Sequence, residues 1–101
     1  MSGALADLTF DAAVIEWRGP APFFFAAVPD DFVEDLRYAA RRASYGWGCV
    51  PVEAWLGEVA FTTSLFPRNG GYLVPLKAAV RRDAGAMPDA AVRIRLVVRA
   101  G

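Results

Sequence analysis

Residues 61–82 read FTTSLFPRNGGYLVPLKAAVRR, and this order predicts a strand, a glycine turn, a short strand and then a basic helix. The turn is expected at the Asn-Gly-Gly run, residues 69–71, because glycine reaches backbone conformations that other residues avoid. Pro75 suits the entry to the helix, where its missing N–H costs nothing, and Gly85 is expected to end the helix. The segment therefore combines hairpin signals with one short helix.

The rest of the chain continues this pattern in both directions. The predicted strands are residues 8 to about 19, 23–28, 49–56, 59–65, 72–74 and 91–98, and the predicted helices are residues 32–43 and 75–84. Six strands linked mostly by tight turns favour a small, partly closed six-stranded β-barrel, because closure protects edges that a short chain cannot otherwise cover. We therefore predict a mainly β fold with two short helices.

Length and composition bound the organisation of the chain. With 101 residues, of which 55% are hydrophobic, the chain supports one core, so residues 1–101 are expected to form a single domain. The longest apolar run, residues 20–29, is too short for a membrane-spanning helix, and the N-terminus lacks the order of a secretory signal. We expect a cytoplasmic protein that does not associate with membranes.

Catalytic chemistry has little support in the residue types present. The chain has no histidine and a single cysteine, Cys49, so histidine catalysis and clustered metal ligands have no residues to build them. The acidic residues between positions 30 and 35 are expected to cap and stabilise the start of a helix rather than to hydrolyse a substrate. We predict no catalytic residues, no metal and no cofactor.

Basic residues concentrate in the C-terminal half. Residues 1–58 hold four arginines against nine acidic residues, whereas residues 59–101 hold seven basic residues against two acidic ones. Cations of the second helix and the last strand predict an anion-binding face made of Lys77, Arg81, Arg82, Arg93 and Arg95. The leading hypothesis is a binding module for an anionic partner, a class that includes nucleic acid.

Two alternatives stay open beside this hypothesis. Aromatic and hydroxyl side chains around the central hairpin could line a small-molecule pocket at the mouth of the barrel: Trp47, Trp55, Thr62 and Ser64. The opposite charges of the two halves could instead build a structural homo-oligomer, or could pair within one molecule. Binding to a nucleic acid would weaken steeply with salt, which separates it from binding in a pocket.

The segment WGCVPVEAWLGEVAF, residues 47–61, together with residues 61–82 resembles the family called domain of unknown function 1905. The shared features are a valine-rich hairpin, a Thr-Ser-Leu-hydrophobic-Pro motif and a Leu-Pro-hydrophobic-Lys-x-x-Val-Arg motif. This resemblance implies a small β-barrel and no particular function.

Residues 73–96, LVPLKAAVRRDAGAMPDAAVRIRL, also have a weaker likeness to the swapped-hairpin half of AbrB- and MazE-type regulators. The matching positions are Pro75, Val80, Arg81 or Arg82, Gly85, Asp89 and Val92, whereas Pro88 stands where those proteins have glycine. In those families the paired basic hairpins of a dimer bind DNA. This likeness therefore implies nucleic acid as one partner to test.

Overall fold

The computed structural model describes residues 4–19, 23–43, 49–87 and 90–99. Within these ranges the strands are β1 (Ala4–Ala13), β2 (Ile15–Trp17), β3 (Phe23–Ala27), β4 (Val50–Leu56), β5 (Val59–Arg68), β6 (Gly71–Pro75) and β7 (Ala91–Arg99). A 3-10 turn at Asp30–Phe32 leads into helix α1 (Val33–Ala43), and helix α2 (Ala78–Ala84) precedes β7. The prediction of a mainly β fold with two short helices is confirmed.

The strands form one curled sheet in the order β1-β7-β4-β5-β6-β3-β2, with antiparallel neighbours throughout. β1 and β2 are consecutive parts of one stretch of chain, separated only by Val14, yet they lie at opposite ends of that order. β1 pairs with β7, and β2 pairs with β3. Because one stretch of chain pairs at both ends, the sheet closes partly into a barrel, as the sequence predicts.

Val14 marks the point where the first stretch of chain changes partners. Its side chain is fully buried, and its N–H donates to the carbonyl of Ala90 at 3.0 Å. Residues 12–15 are all apolar, so alternation in the sequence cannot show the change of partner. The described residues therefore contain seven strands, whereas the sequence predicts six.

β5 also divides between two partners, since its first part pairs with β4 and its last three residues pair with β6. In the turn that follows, Asn69 has φ 53° and Gly70 has φ 80°, as a type I′ hairpin turn requires. Pro67 has no N–H to donate, and the carbonyl of its partner Tyr72 accepts a hydrogen bond from Val28 at 3.0 Å. β5 can therefore run past the proline, three residues beyond its predicted end.

The core lies inside the curled sheet, where α1 packs against it. The sequence spacing predicts an apolar stripe through Phe32, Leu36 and Ala39 or Ala40. In the structure the buried residues of the helix are Val33, Leu36, Ala39 and Ala40, so the stripe begins at Val33 instead of Phe32. Among the described residues no polar or charged side chain is buried, so the polar chemistry lies on the outer surface. Within the same ranges no helix is long and apolar enough to span a membrane.

α2 begins at Ala78 rather than at the predicted Pro75. Pro75 is the last residue of β6 and pairs with Phe25, because β6 is longer than its predicted three residues. Gly85, with φ 67°, ends the helix in the left-handed conformation, as predicted. This shift places Lys77 at the junction between β6 and α2 instead of inside the helix.

Candidate ligand-binding site

The β4–β5 hairpin presents a row of hydroxyl side chains on the outside of the sheet. Thr62 and Ser64 pair across the hairpin with Glu53 and Pro51, and their side chains share one face because alternate residues of a strand do so. β7 lies on the other side of β4, where Val97 pairs with Glu53. We call this outer surface of β4, β5 and β7 the hydroxyl face.

The hydroxyl face contains a depression of about 600 Å³. Among its lining residues are Glu53, Thr62, Ser64, Lys77, Val97 and Arg99. Small-molecule sites usually have volumes of about 300–1,000 Å³ and combine apolar walls with a few polar groups. Pro51 also lines the depression and its exposed ring supplies apolar surface, so the depression has the size and the composition of a small-molecule site.

Lys77 brings a positive charge to these hydroxyls. Its side chain is exposed at the start of α2 and lines the depression with Thr62 and Ser64. None of the ion pairs within the described residues involves Lys77. Its ammonium group is therefore placed to meet an anion in the depression.

Glu53 and Arg99 supply the other two charges that line the depression. The guanidinium of Arg99 donates to the carboxylate of Glu53, and both side chains are partly exposed. The sequence reasoning missed Arg99 because it ended the last strand at residue 98, although the basic alternation at 93 and 95 continues to 99. Since Glu53 and Arg99 balance each other, Lys77 gives the depression its net positive charge.

Trp55 lies on the same hydroxyl face as Thr62 and Ser64. Together with Ala60 and Thr62 it lines a second, smaller depression of about 340 Å³ that shares Glu53 with the first. Three of the four predicted pocket residues are therefore brought together on one face. Trp47, the fourth, lies outside the described residues.

Arg93 and Arg95 are ion-paired across β1 and β7. Arg93 donates to Asp11 at 3.0 Å, and Arg95 donates to Asp7 through two nitrogens at 2.8 and 3.0 Å. These hydrogen bonds lower the pKa of both carboxyl groups and raise the pKa of both guanidinium groups. Arg95 also lies over the ring of Trp55, 4.9 Å from its centre. Both predicted anion-binding arginines thus already have carboxylate partners.

Arg81 and Arg82 have different surroundings on α2. The Arg81 guanidinium lies 3.5 Å from the centre of the Phe24 ring, and its Nε donates to the carbonyl of Leu76 at 3.1 Å. Arg82 is largely exposed, with its nitrogen 3.7 Å from the carboxylate of Asp83. The five predicted cations therefore do not share one kind of environment, and Lys77 is the member that lines the main depression.

Few other chemically reactive groups come together in the described ranges. Cys49, the single cysteine of the chain, is a partly buried free thiol. No three acidic or cysteine side chains gather as metal ligands within those same ranges. The polar groups that do converge are the hydroxyls and the ammonium group of the main depression.

These features define a small, partly closed β-barrel domain with an open depression on one outer face. The sequence profile of the family described as Domain of unknown function (DUF1905) matches residues 10–96. The match covers most of the chain, so the protein belongs to this family, and the predicted resemblance is confirmed. No curated protein matches the chain. The likeness to AbrB- and MazE-type proteins stays a prediction, and Pro88 and Asp89 lie outside the described residues.

Proposed function

We propose that this domain is a binding module that holds a small anionic ligand in the main depression of the hydroxyl face. The observation that carries the proposal is the convergence of Lys77 with Thr62 and Ser64 in a cavity of small-molecule size. An ammonium group and hydroxyls are the donors that a carboxylate or a phosphate group accepts from. Pro51, which is exposed and lines the same depression, offers apolar surface to the rest of such a ligand.

The ion pairs of the other cations favour a small anion over a nucleic acid as the ligand. Arg93, Arg95 and Arg99 each contact a carboxylate, so the outer surface of β7 has nearly balanced charge. The whole chain has a formal net charge of zero and a pI near 6.2, whereas dedicated nucleic-acid-binding domains are strongly basic. Binding to a polyanion would have to break these ion pairs first.

Structural oligomerisation through complementary charged halves receives less support. Acidic residues of the N-terminal half contact arginines of the C-terminal half within one chain, in the pairs Asp7–Arg95, Asp11–Arg93 and Glu53–Arg99. Part of the charge asymmetry is therefore satisfied inside the molecule, as one alternative reading of the sequence allows. A ligand-binding role, in contrast, uses the open depression of the hydroxyl face.

Titration of the ¹⁵N-labelled protein with inorganic phosphate and with butyrate tests the proposal. The amide signals of Thr62, Ser64 and Val97 should shift together. Lys77→Gln should weaken binding about tenfold, because hydrogen bonds to charged groups contribute about 1.5–3 kcal/mol. Arg82→Gln is the matched control, since Arg82 is an exposed cation of α2, the helix that Lys77 precedes, and does not line the depression.

Two results would contradict the proposal. The first is the absence of shifts at these amides at millimolar ligand, or an equal loss of affinity in both variants. The second is tight binding of a mixed-sequence DNA duplex or an RNA strand that weakens with salt and is lost in Arg81→Glu, Arg93→Glu. That second result would restore the basic face as the functional surface.

A further inference from the structure

A second outer surface of the barrel is built from aromatic rings. Trp17 packs edge-on against Phe23, with 5.2 Å between the ring centres. The Phe23 ring lies 5.5 Å from the Phe25 ring and 6.4 Å from the Phe66 ring. We call this outer surface of β2, β3, β6 and the end of β5 the aromatic face.

The strand register explains why these rings meet. Trp17 pairs with Phe23, so both side chains leave the β2–β3 ladder on the same side, and Phe25 follows two residues later on that side. The middle residue of the triplet, Phe24, points the other way and packs against the core. The FFF run hid this division in the sequence, because apolar residues at both parities predict a strand covered on both sides.

The aromatic face combines sheltered and exposed apolar surface. Phe25 and Leu73 are 8% and 7% exposed, whereas Trp17 and Ile15 are 51% and 39% exposed. A depression of about 420 Å³ lies among these four residues. Its volume is within the range of about 300–1,000 Å³ that is usual for small-molecule sites.

Arg68 supplies the positive charge of this surface. It lines the depression at the end of β5, and its guanidinium lies 5.8 Å from the centre of the Trp17 ring. No ion pair within the described residues involves Arg68. Two acidic residues line the same depression: Glu16 lies 3.6 Å from Arg18, whereas Asp30, which begins the 3-10 turn, has no ion pair among the described residues. The charges around the depression therefore balance, and a preference for an anion depends on direct contact with Arg68.

We propose that the aromatic face is a second binding site, for a small aromatic anion. The ligand ring would pack against Trp17 and the apolar surface of Phe25 and Leu73, and its anionic group would meet Arg68. Ring contacts and a charge-assisted hydrogen bond supply separate contributions to affinity. This site goes beyond the proposed function, because it uses other residues and a ligand that must carry a ring.

Naphthalene-2-carboxylate and its neutral analogue naphthalene-2-carboxamide are suitable probes. We expect the indole N–H signal of Trp17, assigned through Trp17→Phe, to shift with both compounds. The carboxylate should bind about tenfold more tightly, because only it offers a charged acceptor to Arg68. Arg68→Gln should abolish this preference, and Arg68→Lys should retain part of it. Arg68 is exposed, so neither variant removes core packing.

Lys77→Gln is the control that separates the two sites. It should leave the affinity for naphthalene-2-carboxylate measured at the Trp17 signal unchanged, as Arg68→Gln should leave phosphate binding measured at the Thr62 and Ser64 amides unchanged. Equal affinity for the two naphthalene compounds, or no shift of the Trp17 signal at millimolar ligand, would overturn the proposal. A dimer in sedimentation equilibrium that Arg68→Gln dissociates would also overturn it, because a second copy would then cover the face.

Discussion

Val14→Asn and Ile15→Asn should have very different effects on stability, although the two residues are adjacent and both β-branched. Val14 is fully buried at the point where the first stretch of chain changes partners, whereas Ile15 is 39% exposed on the aromatic face. We expect Val14→Asn to cost about 3–5 kcal/mol of the free energy of unfolding and Ile15→Asn to cost about 1 kcal/mol.

The larger figure has two parts. Burying a valine side chain contributes about 1.5–3 kcal/mol, and the substitution forfeits most of it. The new amide would also enter a core in which no described polar side chain is buried, and an unpartnered amide there costs about 1–3 kcal/mol more. At position 15 the amide can stay hydrated, so only part of the apolar burial is lost.

Urea unfolding of the wild type and both variants would measure the difference. A domain of this size has a stability of about 5–15 kcal/mol, so Val14→Asn should lower the midpoint substantially and could unfold the protein in buffer. The milder Val14→Thr keeps the shape and replaces one methyl group by a hydroxyl, so it preserves a measurable transition. If Ile15→Asn costs as much as Val14→Asn, the division into β1 and β2 at Val14 is refuted.

Three further predictions test other parts of the structure. Gly85→Ala should cost about 1–2 kcal/mol in thermal unfolding, because φ 67° disfavours alanine although no atom lies within 4 Å of the added Cβ. Arg81→Ala should cost about 1–2 kcal/mol through the lost ring contact, whereas Arg82→Ala should be neutral. The pKa values of Asp7 and Asp11 are lower in the folded protein than in the unfolded chain. Their ion pairs therefore stabilise the fold above the unfolded-state pKa, and this stability is lost as the pH falls through the lowered pKa. Asp7→Asn, Asp11→Asn should therefore flatten the acid side of a stability–pH profile, and less so at high salt, where the exposed pairs are screened.

The sequence predicted those features of the fold that depend on local chemistry. Glycine turns, the apolar stripe of α1 and the alternation of β7 were each visible in a few neighbouring residues. The strand bounds that were predicted wrongly depend on pairing partners that are distant in sequence. β6 keeps Pro75 because Phe25 pairs with it, and β1 ends at Ala13 because the next residues pair with β3 instead of β7.

The candidate site shows the same limit. Alternation placed Trp55, Thr62 and Ser64 on one face correctly, because those residues belong to a single hairpin. It also placed Arg93 and Arg95 on an outer face, but it could not show that Asp11 and Asp7 lie across the ladder more than 80 residues away in sequence. Both outward-facing arginines were therefore predicted to be available to a ligand, although they form ion pairs.

The charge asymmetry of the chain follows from strand order. β7 comes from the basic half and lies between β1 and β4, which both come from the acidic half, so its arginines meet acidic side chains on either side. Arg82 in turn lies near Asp83, and Arg81 is partly buried against Phe24. In the C-terminal half, the exposed cations with no ion pair among the described residues are Lys77 and Arg68. Each of them lines one of the two larger depressions, so in this half of the chain the exposed cations without an ion pair lie where an anionic ligand could contact them.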